Sequence, residues 1–412
     1  MLDIWPELPL VIVTRSEKMR RLGVDNIVAA IKHHTRICYI HLPYTPNSLL
    51  KRIVAMRKPF PSLTDLTLGS YDEHAMVLPD SFLDGSAPRL RSFTLAGIAF
   101  PALGKLLLST HHLVTLRLWN IPHSGYMSPD TMVTALSALT RLKRIALEFR
   151  FSRSRADRAS RLPPPLTRVV LPALISLVFQ GDSKYLEDFL SRIDALLHQV
   201  NITFFSQLIF DTPLLRHFIG RTKEFQGFQV ADVVFDSKYA DVTLFGQDAR
   251  PDGEIRKLSL RISCQPFDWQ LSSLVQVCGS LPPISTLECL NIRIREHSYP
   301  REQQRQRQQQ RRDDTESTQW VELCNAFTSV RYLRLSGHLV PLIAFTLEQI
   351  AEVLPALQNL SLWEPQPSGA AREAIDQFVA ARLLSDFPVT VHHLEGEGGW
   401  EMHWVSDILN YR

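Results

Sequence analysis

A six-residue pattern, L-x-x-L-x-L with other apolar residues allowed at the L positions, recurs along the whole chain and restricts the fold more than any other feature. It fits at Leu8-Val11-Val13, Ile37-Ile40-Leu42, Leu63-Leu66-Leu68, Leu90-Phe93-Leu95, Leu113-Leu116-Leu118, Leu142-Ile145-Leu147 and Leu174-Leu177-Phe179. It continues at Phe205-Leu208-Phe210, Val230-Val233-Phe235, Ile255-Leu258-Leu260, Leu287-Leu290-Ile292, Val330-Leu333-Leu335 and Leu357-Leu360-Leu362. One such hexamer arises by chance in any apolar-rich chain. Thirteen of them, most spaced by 23–32 residues, do not.

Side chains alternate between the two faces of a strand, so the last two apolar positions point one way and the residue between them the other. Parallel strands need a long return connection, usually a helix, and the segments between hexamers supply it. Asp25–His33 carries Ile27, Val28 and Ile31 on one side. Ser128–Leu139 opens with Ser-Pro-Asp, a helix start, and holds Met132, Val133, Leu136 and Leu139 at helical spacing. Asp268–Leu281 and Thr318–Phe327 read the same way. A chain of 412 residues exceeds the roughly 250–300 that one compact core serves, a limit that a fold growing in one dimension avoids. The expected fold class is therefore α/β: a leucine-rich-repeat solenoid with a curved parallel sheet on its concave side and helices or irregular arcs outside. A generic α/β domain with parallel strands is the alternative, and it does not account for the repetition.

About 13–14 irregular repeats are expected over residues 1–399, with a C-terminal capping helix at 400–412. There Trp400, Trp404 and Ile408 fall on one helical side above a last strand near Val389–Val391. Leu8–Val13 is almost wholly apolar and has no cap before it; an uncovered apolar edge strand invites pairing, so an upstream segment is expected to cover it. Near 297–316 the interval lengthens around Arg301–Arg312 (REQQRQRQQQRR), a composition that reads as a disordered insertion. Arg150–Arg161 (RFSRSRADRASR) is a second basic loop.

The chain lacks a Walker loop, a GxGxxG after a strand, GxSxG and HExxH, so no enzymatic activity and no cofactor are expected. Cys38, Cys264, Cys278, Cys289 and Cys324 include no CxxC spacing, which argues against a structural zinc site and suits a cytoplasmic or nuclear protein. A zinc site from His392, His393 and His403 is a remote alternative. No apolar run approaches the roughly 20 residues of a membrane span, and a net charge of +3 does not by itself imply nucleic acid.

Function is expected on the concave face, where equivalent positions of successive strands line up in columns. The middle column reads Thr67, Thr94, Arg117, Ala146, Val178, Ile209, Val234, Ser259, Asn291, Arg334, Ser361. Ala146 to Val234 would form an apolar strip. The next column reads Gly69, Ala96, Trp119, Glu148, Gln180, Asp211, Asp236, Arg261, Arg293, Ser336, Trp363, acidic from Glu148 to Asp236 and then basic. An apolar strip rimmed by charge is the usual form of a protein-binding surface. The candidate partner-binding residues are Arg117, Trp119, Glu148, Val178, Ile209, Asp211, Val234, Asp236, Arg261 and Arg293, with Trp119 and Arg261 as anchors.

The phrases PSLTDLTLGS (61–70), PRLRSFTLAG (88–97) and PALQNLSLWE (355–364), with the opening LDIWPELPLVIV (2–13), resemble the leucine-rich-repeat part of fungal F-box proteins. The resemblance covers essentially the whole chain, and its motifs are structural. In that family an F-box of about forty residues docks on the Skp1 adaptor of a cullin ubiquitin ligase while the repeats hold the substrate. No F-box precedes Leu8, so the resemblance implies Skp1 binding only if an upstream F-box exists. The leading expectation is thus a protein–protein interaction module, the substrate-recognition part of an F-box-type ubiquitin ligase receptor. The alternatives are a stand-alone repeat scaffold with no link to ubiquitin and, weakest, a nucleic-acid binder working through the two Arg-rich loops.

Overall fold

The computed structural model describes residues 8–14, 21–55, 58–70, 72, 76–150, 168–207, 209–246, 255–264, 267–279, 281–282, 286–295, 314–337, 339–363 and 369–394. The proposed capping helix at 400–412, the Arg/Gln-rich insertion and all but Arg150 of the Arg150–Arg161 loop lie outside those residues. The chain divides into two compact units: Met1–Phe205 with Thr212–Glu224, and Ser206–Asp211 with Phe225–Arg412.

The first unit holds β1 (Leu10–Val13), β2 (Ile37–Leu42), β3 (Asp65–Gly69), β4 (Met76–Val77), β5 (Ser92–Ala96), β6 (Ile98–Ala99), β7 (Thr115–Ile121), β8 (Arg144–Phe149), β9 (Val169–Leu171), β10 (Ser176–Gly181), β11 (Ile193–Ala195) and β12 (Gln199–Phe204). Eight of these form a sheet in the order β1-β2-β3-β5-β7-β8-β10-β12, and every pairing in it is parallel. β4 pairs with β6 and β9 with β11 as short parallel ribbons. Helices at Arg21–Ile31, Asn47–Val54, Leu103–Ser109, Pro129–Leu136, Ser183–Ser191 and Pro213–Arg221 make return connections. Ser128 caps the Pro129–Leu136 helix by accepting from the Thr131 amide at 3.2 Å.

The apolar pattern is what sets this register. Ile40, Leu66, Phe93, Leu116, Ile145, Leu177 and Val200 lie side by side, as do Leu42, Leu68, Leu95, Leu118, Leu147, Phe179 and Ile202, and all are buried. Burying one such side chain contributes roughly 1.5–3 kcal/mol relative to leaving it in water. The residue after the first apolar position makes an identical rung in each repeat. Arg91 N donates to Thr64 O, Val114 N to Arg91 O, Lys143 N to Val114 O, Ile175 N to Lys143 O and His198 N to Ile175 O.

In the second unit are β13 (Phe228–Phe235), β14 (Tyr239–Gly246), β15 (Arg256–Ser263), β16 (Cys289–Ile294), β17 (Tyr332–Leu335), β18 (Asn359–Trp363) and β19 (Thr390–Leu394). They are ordered β15-β14-β13-β16-β17-β18-β19. β14 runs antiparallel to both its neighbours and the rest pair in parallel. Helices at Phe267–Gly279, Asp314–Asn325, Leu347–Val353 and Ala370–Leu384 pack successively on one another. Trp320, fully buried, sits with Phe235 and Phe267 at centroid distances of 5.7 and 6.3 Å. The rung recurs here as Arg331 N to Glu288 O and Gln358 N to Arg331 O. Both units are thus mixed α/β, with mostly parallel sheets. Among the described residues no helix is long and apolar enough to cross a membrane.

Four expectations need correction. The sheet is not wholly parallel, because β14 was not anticipated as a strand and reverses the chain. The first hexamer is out of phase: Ile12 aligns with Ile40 and is buried, while Val11 and Val13 are exposed. An unbroken apolar run has no alternation from which to read a face. In the eighth hexamer Phe205 and Phe210 lie outside any strand and Leu208 is outside the described residues; the repeat is Leu197-Val200-Ile202, all buried, with Val200 and Ile202 on β12. In the ninth, Val233 rather than Phe235 holds the last core position, since Val233 aligns with Ile292 and Ala231 with Leu290.

Candidate interaction surface

Opposite its core the first unit presents an aligned row of Thr67, Thr94, Arg117, Ala146, Val178 and Asn201. Thr94 and Ala146 are closed in by their neighbours, while Arg117, Val178 and Asn201 stay half-buried. The next row is Gly69, Ala96, Trp119 and then Glu148, Gln180 and Thr203. Gly69 is required there, because a Cβ would strike the backbone carbonyl of Pro43. Trp119 is 41% exposed. Glu148 is half-buried, and burial pushes its carboxyl up from the ordinary value.

On the second unit the corresponding row is Ser259, Thr243, Asp232, Asn291, Arg334, Ser361 and His392. Asp232, Thr243, Ser259 and Asn291 are buried although they face away from the apolar core. They sit among paired polar side chains, with Asn291 Nδ2 and Arg261 Nε left without a hydrogen-bond partner in the described residues. Arg293 grips Asp232 with Nη2 donating to Oδ2 at 2.9 Å and Nε to Oδ1 at 3.3 Å. Arg261 donates to Asp241 at 2.9 Å, and its guanidinium lies 4.1 Å over the Tyr239 ring. Arg295 donates to the Tyr239 hydroxyl at 2.7 Å, and Thr243 to Ser259 at 3.1 Å. Burial pushes the Asp241 carboxyl up, the hydrogen bond and charge of Arg261 oppose that, and Asp232 adds to it. A paired, fork-bonded guanidinium is a strong local tie, but breaking it leaves a buried charge.

The expected apolar strip does not form. Val178 adjoins Ala146, as read, but its other neighbour is Asn201, not Ile209. Ile209, 74% exposed, and the exposed Asp211 lie in the connection after β12. Val234 is buried between Asp241 and Arg293. Asp236 is a turn residue: its carboxylate accepts from Ser237 Oγ and the Lys238 amide where β13 passes into β14. Arg261 and Arg293 do share the open side of the sheet, yet both are committed to aspartates. Those partners, Asp232 and Asp241, escaped the sequence reading together with Tyr239. The available signal was the alternation Tyr239-Ala240-Asp241-Val242-Thr243-Leu244, which is a strand but lacks the leading apolar residue of the repeat.

At the ends of β7 and β8 a crevice lined by Ile121, His123, Tyr126, Phe149, Asp182 and Tyr185 has about 20 Å³ of free volume, room for a water and not for a metabolite. His392 Nε2 lies 3.2 Å from Asn359 Oδ1; His403 is outside the described residues. Among the described residues no group of three or more His, Cys, Asp or Glu side chains is placed to hold a metal ion. No protein-family model matches the chain, and no curated protein matches it.

Proposed function

We propose that the chain is a leucine-rich-repeat solenoid acting as a protein–protein interaction module, and that it is the substrate-recognition part of an F-box-type ubiquitin ligase receptor. The observation that carries the first half is the repeated unit itself. In the first unit successive strands present the same positions side by side, bury the same apolar pair, share one backbone rung, and leave one face with an exposed tryptophan beside charged residues. A rigid, polar, partly exposed face with an aromatic anchor fits recognition of another protein. The ubiquitin-ligase half rests on the sequence resemblance. The nucleic-acid alternative rests on the two Arg-rich loops, which apart from Arg150 lie outside the described residues.

The test is affinity capture with wild type and with Arg117→Glu and Trp119→Ala variants verified as folded by circular dichroism. Loss of a defined partner set with the variants supports the module. Retention of every partner by both overturns the assignment of the face. If a transcript supplies an F-box ahead of Met1, its product should co-purify the Skp1 adaptor; failure to do so overturns the ligase half alone.

A further inference from the structure

At one place on the open face of the first unit an aromatic ring and a carboxylate sit together with no use in the fold. β7 carries one residue more than β8 there. Leu118 aligns with Leu147 and Ile121 with Phe149, so Trp119 and Asn120 together oppose Glu148. A bulge of this kind re-aims the side chains it carries. Asn120 takes φ 50°, a left-handed conformation that asparagine tolerates better than most residues. The result is an exposed indole on one strand and a half-buried Glu148 opposite it on the next, adjacent strands lying about 4.8 Å apart. Among the described residues no hydrogen bond or ion pair engages that carboxylate, and burial alone shifts it.

Elsewhere the same chain shows what such a pair accepts. On the second unit Asp241 and the Tyr239 ring hold the Arg261 guanidinium, which donates to the carboxylate at 2.9 Å and lies 4.1 Å over the ring. Trp119 and Glu148 repeat the ring and the carboxylate, and among the described residues no cation is hydrogen-bonded or ion-paired to that carboxylate. We infer that Trp119 and Glu148 receive one lysine or arginine side chain of an extended partner segment lying across the open face of the first unit. Indole is the best aromatic face for a cation, and a half-buried carboxylate gains most from a charge-assisted donor. Arg117, two residues before Trp119 and aligned with Ala146, selects against a run of basic residues. The partner therefore presents a single basic side chain flanked by neutral or acidic ones.

This rests on the interaction-module reading, and the experiment separates the two. Display of random twelve-residue peptides on the full chain should enrich sequences with Lys or Arg at one fixed position. Fluorescence anisotropy with a winning peptide should show about tenfold weaker binding to Trp119→Ala and to Glu148→Gln, with Trp119→Phe in between. A repeated selection on Glu148→Lys should prefer Asp or Glu at that position. Winners without a fixed basic position, or with one indifferent to Glu148, overturn the inference and leave the module standing. Display that enriches nothing also overturns it, and affinity capture then decides the module separately.

Discussion

Replacing Glu187 should loosen a helix that Glu187 itself does not belong to. Its carboxylate projects from the Ser183–Ser191 helix to the start of the next one, Pro213–Arg221, accepting from the Leu214 amide at 2.8 Å and the Leu215 amide at 2.6 Å. Pro213 has no N–H and the side chain of Thr212 makes no cap, so these are the first two donors of the helix. Glu187 and Leu215 are both buried, which leaves water little access to compensate. Each unsatisfied buried donor costs about 1–3 kcal/mol, and a carboxylate at a helix N-terminus adds a few tenths more. Glu187→Leu keeps the bulk and removes both acceptors, so roughly 2–4 kcal/mol should be lost after Leu214, half-exposed, recovers some hydration. Glu187→Gln keeps one acceptor and should lose about half of that. For a unit of this size 1 kcal/mol moves Tm by about 2–4 °C, so calorimetry resolves all three proteins. Hydrogen exchange at the Leu214 and Leu215 amides localises the effect. A Leu variant that melts within about 1 °C of wild type, with both amides exchanging unchanged, refutes the reasoning.

Leu116→Ala and Leu333→Ala, at fully buried repeat positions, should each cost roughly 2–5 kcal/mol in urea unfolding; a loss below about 0.5 kcal/mol sinks the register. Asp232→Leu removes the carboxylate that Arg293 grips and should cost about 3–5 kcal/mol, whereas the Asp232→Leu/Arg293→Leu double variant should recover most of it; equal losses would show that the pair is not coupled. The Glu148 carboxyl is pushed up by burial, so its ionisation opposes folding once the pH passes the raised value and is irrelevant below the unfolded value. Glu148→Gln should therefore melt higher than wild type at pH 7 with the gain vanishing below about pH 4; a gain that persists in acid contradicts this origin. Burial pushes the Cys278 and Cys324 thiols up to about 12, so native protein treated with iodoacetamide near neutral pH should keep both unmodified. Mass spectrometry that finds either alkylated before Cys38 overturns the assignment.

The repeated hexamer is a local signal about which way a side chain faces, and wherever it alternates cleanly it located the strand and its buried pair. Leu66 with Leu68, Leu116 with Leu118 and Leu333 with Leu335 were legible for that reason. So was the placement of Arg117, Trp119 and Glu148 on the opposite side of the strands, since facing follows from period alone. Where the signal is saturated, as in Leu8–Val13, or where two phases compete, as between Leu197 and Phe210, apolar content cannot choose the phase. Only hydrogen bonding to the neighbouring strand decides it, and Ile12 against Ile40 and Val200 against Leu177 are such decisions. The pairs Asp241–Arg261 and Asp232–Arg293 join residues 20 and 61 positions apart, and the reversal at β14 is fixed by its pairing with β13 and β15. The bulge that sets Trp119 and Asn120 opposite Glu148 is likewise a mismatch between two strands, visible in neither one by itself. Facing is a property of one segment and was written in the sequence. Pairing is a property of two segments brought together by burial, and the tertiary structure alone decided it.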